Sequence, residues 1–146
     1  GINMKLTLSL LILGFSTIVF AGNQVLDCTP TDAGGDKGVS ITMDKDYNVI
    51  DSNYSVNGEV VDEVELTTKV VRTLNYDEGK GFAVQKLTAH MSSPQLNTTF
   101  SLEATMYQPN ANGASDYIGI LHIEGEEFDR DLACTLAPLP PKRNKK

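Results

Sequence analysis

Hydrophobic and polar residues alternate along most of the chain with a period of two, the pattern typical of half-buried β-strands. The clearest example is the segment 98–107, where Phe100, Leu102 and Met106 alternate with polar side chains. The same pattern predicts strands over the segments 39–43, 50–56, 59–74, 82–91, 117–124 and 132–136. The segment 59–74 fits one long strand or two strands joined by a kink. No segment after residue 22 shows the apolar face of an amphipathic helix.

Within the segment 82–91, the apolar positions change phase between Val84 and Leu87. An added residue near Gln85 and Lys86 would shift the alternation in this way, so a β-bulge is predicted there. Clusters of turn-forming residues separate the predicted strands at 57–58, 77–81, 92–95 and 108–113. The first of these clusters, Asn-Gly, is the signal of a two-residue hairpin.

Predicted strands begin near residues 65, 82, 98 and 117, at intervals of roughly 17 residues. Immunoglobulin-like sandwiches place strands about 8 to 12 residues apart, so longer strands are favoured here. The fold predicted is all-β, an antiparallel up-and-down meander of about seven or eight strands that forms a small barrel or a curved sandwich. A transmembrane barrel is disfavoured because the chain lacks aromatic girdles and carries charges on both parities of several strands.

The N-terminal region predicts export. Met4 and Lys5 precede an apolar run that ends in Val-Phe-Ala at Ala21, and these are the parts of a secretory signal peptide. We expect a signal peptide over 4–21, cleavage near Ala21, and a mature protein that is periplasmic or extracellular. Residues 1–3 are set aside as vector-derived residues or an upstream start. A retained membrane anchor is the alternative, but an apolar core of about 15 residues falls short of the roughly 20 that span a bilayer.

The chain contains two cysteines, Cys28 and Cys134. In an oxidising compartment, an even pair most simply forms one disulfide. This bond would join the first and last ordered segments of a single β domain over 22–137. Two free buried thiols are the alternative. Neither cysteine lies in a Cys-x-x-Cys motif, so redox and zinc chemistry are not predicted.

The charge of the chain is unevenly distributed. It carries 12 Lys and Arg against 19 Asp and Glu, and four of the cations lie in the Pro-rich segment 138–146. We expect this segment to be a disordered basic tail, acting as a solubilising end or as an electrostatic tether to anionic lipid or polymer. Without the tail and Lys5, seven cations remain against 19 acids, a formal charge of −12. Such a body repels phosphate backbones, which excludes nucleic acid as the expected partner.

The densest acidic stretch directly precedes the last predicted strand, and we call it the acidic segment. Its members are Glu124, Glu126, Glu127, Phe128, Asp129 and Asp131. A solvated loop is the default interpretation, and the alternatives are a weak calcium site or a contact for a basic partner. Five neighbouring carboxylates repel one another, and an approaching basic surface offsets that repulsion. Because an aromatic side chain in a charged rim can act as an anchor, the acidic segment is the predicted binding site.

Signals for catalysis or metal binding are weak. The two histidines, His90 and His122, lie inside predicted strands, where histidine is more often a packed or edge residue than a base. Asp44 opens a stretch that resembles a calcium loop, but Val49 replaces the Gly at its sixth position and Ser55 the Glu at its twelfth. A hairpin turn rich in Asx side chains is favoured there. We predict no catalytic residue, no metal site and no cofactor.

These features favour an exported, acidic, non-enzymatic module for binding or structure. Its expected partner is a basic protein or a cell-envelope component, and the start of the signal peptide has a bacterial character. The charge supports a second class, an acidic inhibitor or immunity-type protein that binds a basic enzyme. A hydrolase is the third class, which two facing carboxylates or a His-carboxylate pair would favour.

Overall fold

Nine β-strands form in the computed structural model, which describes residues 22–32, 34–109 and 113–139. The strands are rich in β-branched and aromatic residues, which suit a pleated, half-buried surface. Their bounds are β1 Gln24–Pro30, β2 Lys37–Met43, β3 Val49–Val56, β4 Glu59–Val60, β5 Thr67–Asp77, β6 Phe82–Ser93, β7 Thr98–Pro109, β8 Ser115–Ile123 and β9 Arg130–Pro138.

All nine strands belong to one sheet in the order β4-β3-β2-β1-β9-β8-β7-β6-β5, and all neighbours pair antiparallel. Strands consecutive in the chain are neighbours in the sheet, except β4 and β5. The first strand also pairs with the last, along the whole of Gln24–Pro30. The predicted all-β antiparallel meander is therefore confirmed, with the sheet curled into a half-barrel.

Nine strands appear where seven or eight were predicted because β1 lies outside the predicted segments and because 59–74 divides into β4 and β5. Eight antiparallel steps separate β4 from β5 across the sheet, so these two strands run in the same direction. They are pieces of one bent strand, of which β4 pairs with β3 and β5 pairs with β6. The residues 61–66 that join them are too few for a parallel crossover, which needs about a dozen or more. This is the kink predicted within 59–74.

The two edges of the half-barrel meet through side chains. The hydroxyl Oγ of Ser52 on β3 lies 2.7 Å from Oγ1 of Thr68 on β5. Beside this contact, Val61, Val64 and Leu66 pack against the hydrophobic core. No backbone ladder joins β3 to β5 among the described residues. We call this contact the side-chain seam and the pairing of β1 with β9 the ladder seam.

Cys28 and Cys134 lie directly opposite each other in the ladder seam. They form a disulfide, which confirms the pairing predicted from the sequence. Both residues are buried, so the bond is part of the core as well as a link between the terminal strands.

The core fills the concave side of the sheet with one contiguous cluster. Alternation along the strands directs every second side chain inward, as the sequence predicts. The most completely buried members include Leu26, Ile41, Met43, Leu102, Ala104 and Leu121.

The β-bulge predicted near Gln85 and Lys86 is wrong. β6 pairs with β5 without any shift of register there, and the phase changes because the polar Gln85 is buried while the apolar Val84 is not. The register shifts instead at Ile50 and Tyr107, which the pairing skips. As the added residues of bulges, these two side chains are 55% and 46% exposed.

Along 59–74, two apolar residues of the alternating pattern are exposed. Val60 is 51% exposed and Leu74 is 46% exposed, and they lie on β4 and β5, the strands at the two ends of the sheet order. The hairpin predicted at Asn57 and Gly58 is confirmed, since both residues have positive φ, 54° and 83°, as a type I′ turn requires.

The loops lie at two ends of the half-barrel. One end, which we call the groove end, carries the β1–β2, β3–β4, β6–β7 and β8–β9 connections. The other, the terminal end, carries residues 22–23 and 138–139. There the N–H of Leu139 donates to the carbonyl of Asn23 at 2.8 Å.

Several predictions concern residues outside the described ranges. These are the signal peptide over 4–21, cleavage near Ala21 and the basic tail beyond residue 139. Pro138, assigned to the tail from the sequence, is instead the last residue of β9.

Candidate functional site

A groove of about 500 Å³ opens at the groove end of the half-barrel. Two parts of the chain line it. One is Pro30, Asp32 and residues 34–37, between the end of β1 and the start of β2, and the other is residues 126–132, from the β8–β9 turn and the start of β9. These segments are distant in sequence but adjacent in space because β1 pairs with β9. The N–H of Thr31 donates to the carbonyl of Asp131 at 3.2 Å and holds the two walls together. We call this feature the acidic groove.

Five of the six residues of the acidic segment line the groove, namely Glu126, Glu127, Phe128, Asp129 and Asp131. Glu124 is the exception. Its Oε1 accepts a hydrogen bond from Oγ1 of Thr99 on β7 at 2.8 Å, so it lies beside the outer face of the sheet. The structure therefore brings most of the predicted site together and separates one member from it.

Arg130 ties the two walls of the groove together. Its Nη1 donates to Oδ1 of Asp36 at 3.0 Å, and its Nη2 donates to Oε1 of Glu126 at 2.7 Å. The hydrogen bond to Glu126 raises the pKa of the guanidinium. The Nε of Arg130 is buried and has no partner among the described residues. Arg130 therefore links the two walls of the acidic groove. Its positive charge also reduces the repulsion between the groove carboxylates below what the sequence alone suggests.

The β1–β2 loop supplies groove residues that sequence reasoning missed. Asp36 contacts Lys37 Nζ at 2.7 Å as well as Arg130, and the hydrogen bond from Lys37 lowers the pKa of the Asp36 carboxyl. Asp32 also lines this wall. A Cβ on Gly35 would lie 2.6 Å from the Cβ of Pro30, so this close turn requires glycine. No local pattern identifies these residues, because only the pairing of β1 with β9 brings them to the acidic segment.

The lining of the groove is strongly anionic even after its internal ion pairs. It contains six carboxylates, from two Asp of the β1–β2 loop and four acids of the acidic segment, against the two cations Lys37 and Arg130. Among the described residues, Asp32, Glu127 and Asp131 take part in no ion pair, and all three are exposed. Their carboxylates are therefore accessible to a cationic group.

Phe128 gives the groove an apolar point of contact. Its side chain is 75% exposed, the largest value for any large hydrophobic residue of the described ranges. The turn that carries it is shaped by Gly125, whose φ is +90°, and by a hydrogen bond from Glu126 N–H to the Ile123 carbonyl at 3.0 Å. Phe128 therefore stands in solvent at the wall of an acidic concavity and takes no part in the core.

A His-carboxylate pair stands beside the acidic groove. Nδ1 of His122 lies 2.8 Å from Oδ1 of Asp129, and the two side chains are 54% and 50% exposed. His122 is on the outer face of β8, and Ser101 lies opposite it on β7. A His-carboxylate pair is one of the two arrangements that would favour a hydrolase.

A second cavity, of about 360 Å³, opens at the terminal end. Its wall contains a polar network centred on the buried Gln85, whose Nε2 donates to the Tyr117 hydroxyl at 2.6 Å. The Gln85 Oε1 accepts from the Tyr47 hydroxyl at 3.2 Å and also from Nε of Arg72. The Arg72 guanidinium lies over the Tyr47 ring, 4.9 Å from its centroid. Burial raises the pKa of Tyr117 to about 12.

The stretch that begins at Asp44 forms an Asx-rich hairpin turn. Oδ1 of Asp44 accepts from the N–H groups of Asp46 and Asn48 at 2.8 and 2.9 Å, and these bonds, chiefly that from Asn48, lower the pKa of its carboxyl. The carboxylate thus binds its own backbone, as the favoured interpretation of the sequence predicts.

Comparison of the chain with known protein families, with curated proteins and with solved structures finds no match. Over the described ranges, no helix has the length and apolar character needed to cross a membrane. Within the same ranges, no three or more His, Cys, Asp and Glu residues are grouped so that they could hold a metal ion. The site is therefore interpreted from its own residues.

Proposed function

We propose that this protein is an exported, non-enzymatic binding module that docks a cationic partner in the acidic groove. The observation that carries the proposal is Phe128, an aromatic side chain held 75% exposed at the wall of a strongly anionic concavity. Leaving this apolar surface in water is unfavourable. A partner that covers the ring and neutralises the surrounding carboxylates removes both costs at once.

The charge of the groove supports a basic partner in particular. Six carboxylates and two cations line the groove, and the rest of the β domain is also acidic. A field of one sign attracts an oppositely charged partner over a distance of about 8 to 10 Å at ordinary salt and accelerates the encounter. The ring of Phe128 then provides the kind of aromatic anchor around which binding energy concentrates.

Arg130 supports the proposal in a different way. Its bonds to Asp36 and Glu126 hold the two walls in place before any partner arrives. A binding surface that is already ordered loses less conformational entropy on binding. The disulfide between Cys28 and Cys134 anchors the same pair of strands and is of the kind that persists in oxidising compartments outside the cytosol.

A defined peptide pair tests the proposal. The probes are a fluorescent decapeptide of alternating Arg and Leu and its Glu-Leu counterpart, titrated with the purified protein and followed by anisotropy. We expect the Arg-Leu peptide to bind, the Glu-Leu peptide not to bind, and the affinity to fall as salt rises. Equal binding of the two peptides would contradict the proposal.

Two matched pairs of variants locate the contact. Phe128→Ala should weaken binding of the Arg-Leu peptide about tenfold, whereas Ile118→Ala, which removes apolar surface that is 56% exposed on β8, should leave it unchanged. Glu127→Lys should slow association more than Glu78→Lys, because Glu78 lies in the β5–β6 turn at the terminal end. Equal effects within both pairs would place the binding surface elsewhere.

An acidic inhibitor of a basic enzyme would use the same groove and is a special case of this proposal. An inhibitor differs from a neutral binding module in one respect. The catalytic activity of the partner enzyme would fall as the enzyme binds in the groove. A titration of the bound partner's activity separates an inhibitor from a neutral binding module.

A hydrolase is the second candidate, favoured by the His122–Asp129 pair with Ser101 opposite on the neighbouring strand. In such a site, the carboxylate orients the imidazole and the imidazole activates the hydroxyl. Wild-type hydrolysis of p-nitrophenyl acetate that disappears in Ser101→Ala and in His122→Gln would favour this candidate. Equal rates in the three proteins would leave the binding module as the better proposal.

A further inference from the structure

A row of polar side chains crosses the outer face of the sheet. Register pairs place Lys69, His90, Ser101 and His122 side by side on β5, β6, β7 and β8. Asp129 lies at the next position, one residue before β9 begins beside β8. The chain's two histidines are therefore on the same face, separated by one strand, and both are exposed.

The hydrogen bond between His122 and Asp129 determines which ring nitrogen of His122 is occupied. Nδ1 lies 2.8 Å from Oδ1 of Asp129, and because an ionised carboxylate can only accept, the Nδ1–H group donates this hydrogen bond. In the neutral ring, Nε2 then has a free lone pair. Nε2 is therefore the ring nitrogen of His122 that is left to bind a ligand. A carboxylate that holds one nitrogen of a histidine in this way is the usual support of a metal-binding imidazole.

The separation of the two histidines suits a single bound ion. Two strand spacings, about 9.5 Å, lie between the backbones of β6 and β8. Two imidazoles that lean toward each other, each with a bond of about 2.1 Å to a metal, can cover this distance above Ser101. A trough of about 410 Å³ lies there, lined by His90, Ser101 and His122.

We infer that His90 and His122 together bind one divalent transition-metal ion in this trough, with Asp129 holding His122 in the binding orientation. Imidazole nitrogen favours zinc, copper and nickel, whereas calcium and magnesium favour oxygen. The acidic body of the protein attracts cations to its surface. Water fills the remaining coordination positions, because the row supplies two imidazole ligands and no group of three. Lys69, at the far end of the row, has a flexible stem that allows its ammonium group to turn away.

The inference is tested by calorimetric titration of the purified protein, with any polyhistidine tag removed, with Zn²⁺ at neutral pH. We expect one Zn²⁺ ion per chain. His90→Gln and His122→Gln should each weaken binding at least tenfold, and the double variant should bind no Zn²⁺ at this site. Asp129→Asn should weaken it about 10- to 100-fold, the usual effect of losing a group that supports a metal ligand.

Matched controls separate this site from the acidic groove. Lys69→Gln removes a neighbour in the row that is not a ligand, and Phe128→Ala alters the groove; both variants should bind Zn²⁺ as the wild type does. A Ca²⁺ titration should be insensitive to both histidine variants. Both histidines are exposed, so the histidine variants should fold. Far-UV circular dichroism and thermal unfolding check that they do.

Copper gives an independent count of the ligands. Electron paramagnetic resonance of the protein with one equivalent of Cu²⁺ should show two coordinated imidazole nitrogens in the wild type and one in each single variant. Absence of Zn²⁺ binding at millimolar concentration, or binding that the double histidine variant retains, would overturn the inference. Loss in only one of the two histidine variants would overturn the shared site as well.

Discussion

The ladder seam and the side-chain seam close the same sheet in two different ways. At the ladder seam, β1 and β9 pair over seven residues and share a disulfide. At the side-chain seam, β3 and β5 meet through the hydroxyls of Ser52 and Thr68 and through apolar side chains of 61–66. One contact is made by a backbone ladder and a covalent bond, whereas at the other β5 meets β3 through side chains.

Strand direction explains this difference. β4 and β5 run the same way, so a hairpin cannot join them, and the short segment 61–66 cannot make a parallel crossover. The bent strand pairs with β3 at one level of the barrel and with β6 at another. A meander whose first and last strands pair can therefore lack a backbone ladder at a bend within the chain. We expect the ladder seam to contribute more to the stability of the fold than the side-chain seam does.

Of the changes at the two seams, removal of the disulfide should lower the free energy of unfolding most. The bond closes a loop with a sequence separation of 106 residues, so the unfolded chain of Cys28→Ala/Cys134→Ala gains much conformational freedom. We expect the free energy of unfolding to fall by about 3 to 5 kcal/mol, as measured by urea denaturation. A fall of less than about 1 kcal/mol would show that the backbone ladder alone secures this seam.

Alkaline pH should give the next largest loss of stability, through a residue beside the ladder seam. Tyr117 pairs with Cys134, and burial raises its pKa to about 12, above its value of about 10 in the unfolded chain. The unfolded chain therefore loses this proton first, so the stabilisation is fully present below pH 10 and is lost as pH rises toward 12. We expect wild type to lose about 2 to 3 kcal/mol over this interval.

The control for this pH effect is Tyr117→Phe, compared with wild type by urea denaturation at pH 9 and 11.5. The variant is less stable at neutral pH, because Nε2 of Gln85 loses its acceptor. Its further loss between the two pH values should be smaller than that of wild type. Identical pH dependence in the two proteins would assign the alkaline unfolding to other groups, such as Tyr54, whose pKa is also raised by burial.

A methyl group added at Gly119 should strain the ladder seam from within the core. A Cβ there would lie 2.7 Å from Sγ of Cys134 and 3.4 Å from atoms of Leu102 and Leu132. We expect Gly119→Ala to cost about 1 to 3 kcal/mol in the free energy of unfolding. Gly34→Ala is the matched control, because a Cβ there meets nothing within 4 Å.

A double-mutant cycle sharpens this result. The cost of Gly119→Ala should shrink in the Cys28→Ala/Cys134→Ala background, where the sulfur that it would meet is absent. An unchanged cost would show that the strain comes from Leu102 or Leu132 and not from the disulfide.

The side-chain seam should give the smallest effect. Ser52→Ala/Thr68→Ala removes the hydroxyl contact of 2.7 Å from both sides and leaves no unpaired partner. Because both groups are half-buried, we expect a loss of about 0.5 to 1 kcal/mol. Thermal unfolding of this variant beside the double cysteine variant compares the two seams directly. A larger loss here than at the disulfide would reverse the comparison.

The sequence predicted the sheet well because its signals are local. Alternation around Phe100 and Leu102 fixes which face is buried, and Asn57-Gly58 fixes a hairpin. The prediction of which side chains point inward failed where a polar residue is buried. Gln85 points inward because its Nε2 donates a hydrogen bond to the Tyr117 hydroxyl. Such a hydrogen bond between different strands leaves no mark on the local pattern, and the resulting phase change imitated a bulge.

The candidate site was half predictable for the same reason. The acidic segment is contiguous, so its charge and Phe128 could be recognised from the sequence. Its opposite wall, with Asp32 and Asp36, comes from the other end of the chain, and only the cysteine pair indicated that these regions meet. The row that joins His90 to His122 likewise depends on the register of three strands, which alternation alone does not fix.

The backbone hydrogen bond between Asn23 and Leu139 shows that the order of the strands along the chain could be changed by circular permutation. Both residues lie at the terminal end, opposite the acidic groove, so a short linker between residues 22 and 139 could make the backbone a closed ring. Cutting that ring at Asn57-Gly58 would yield a circular permutant with the same sheet and with new termini at the groove end. In the natural order, by contrast, a support attached at residue 22 or 139 would present the groove outward.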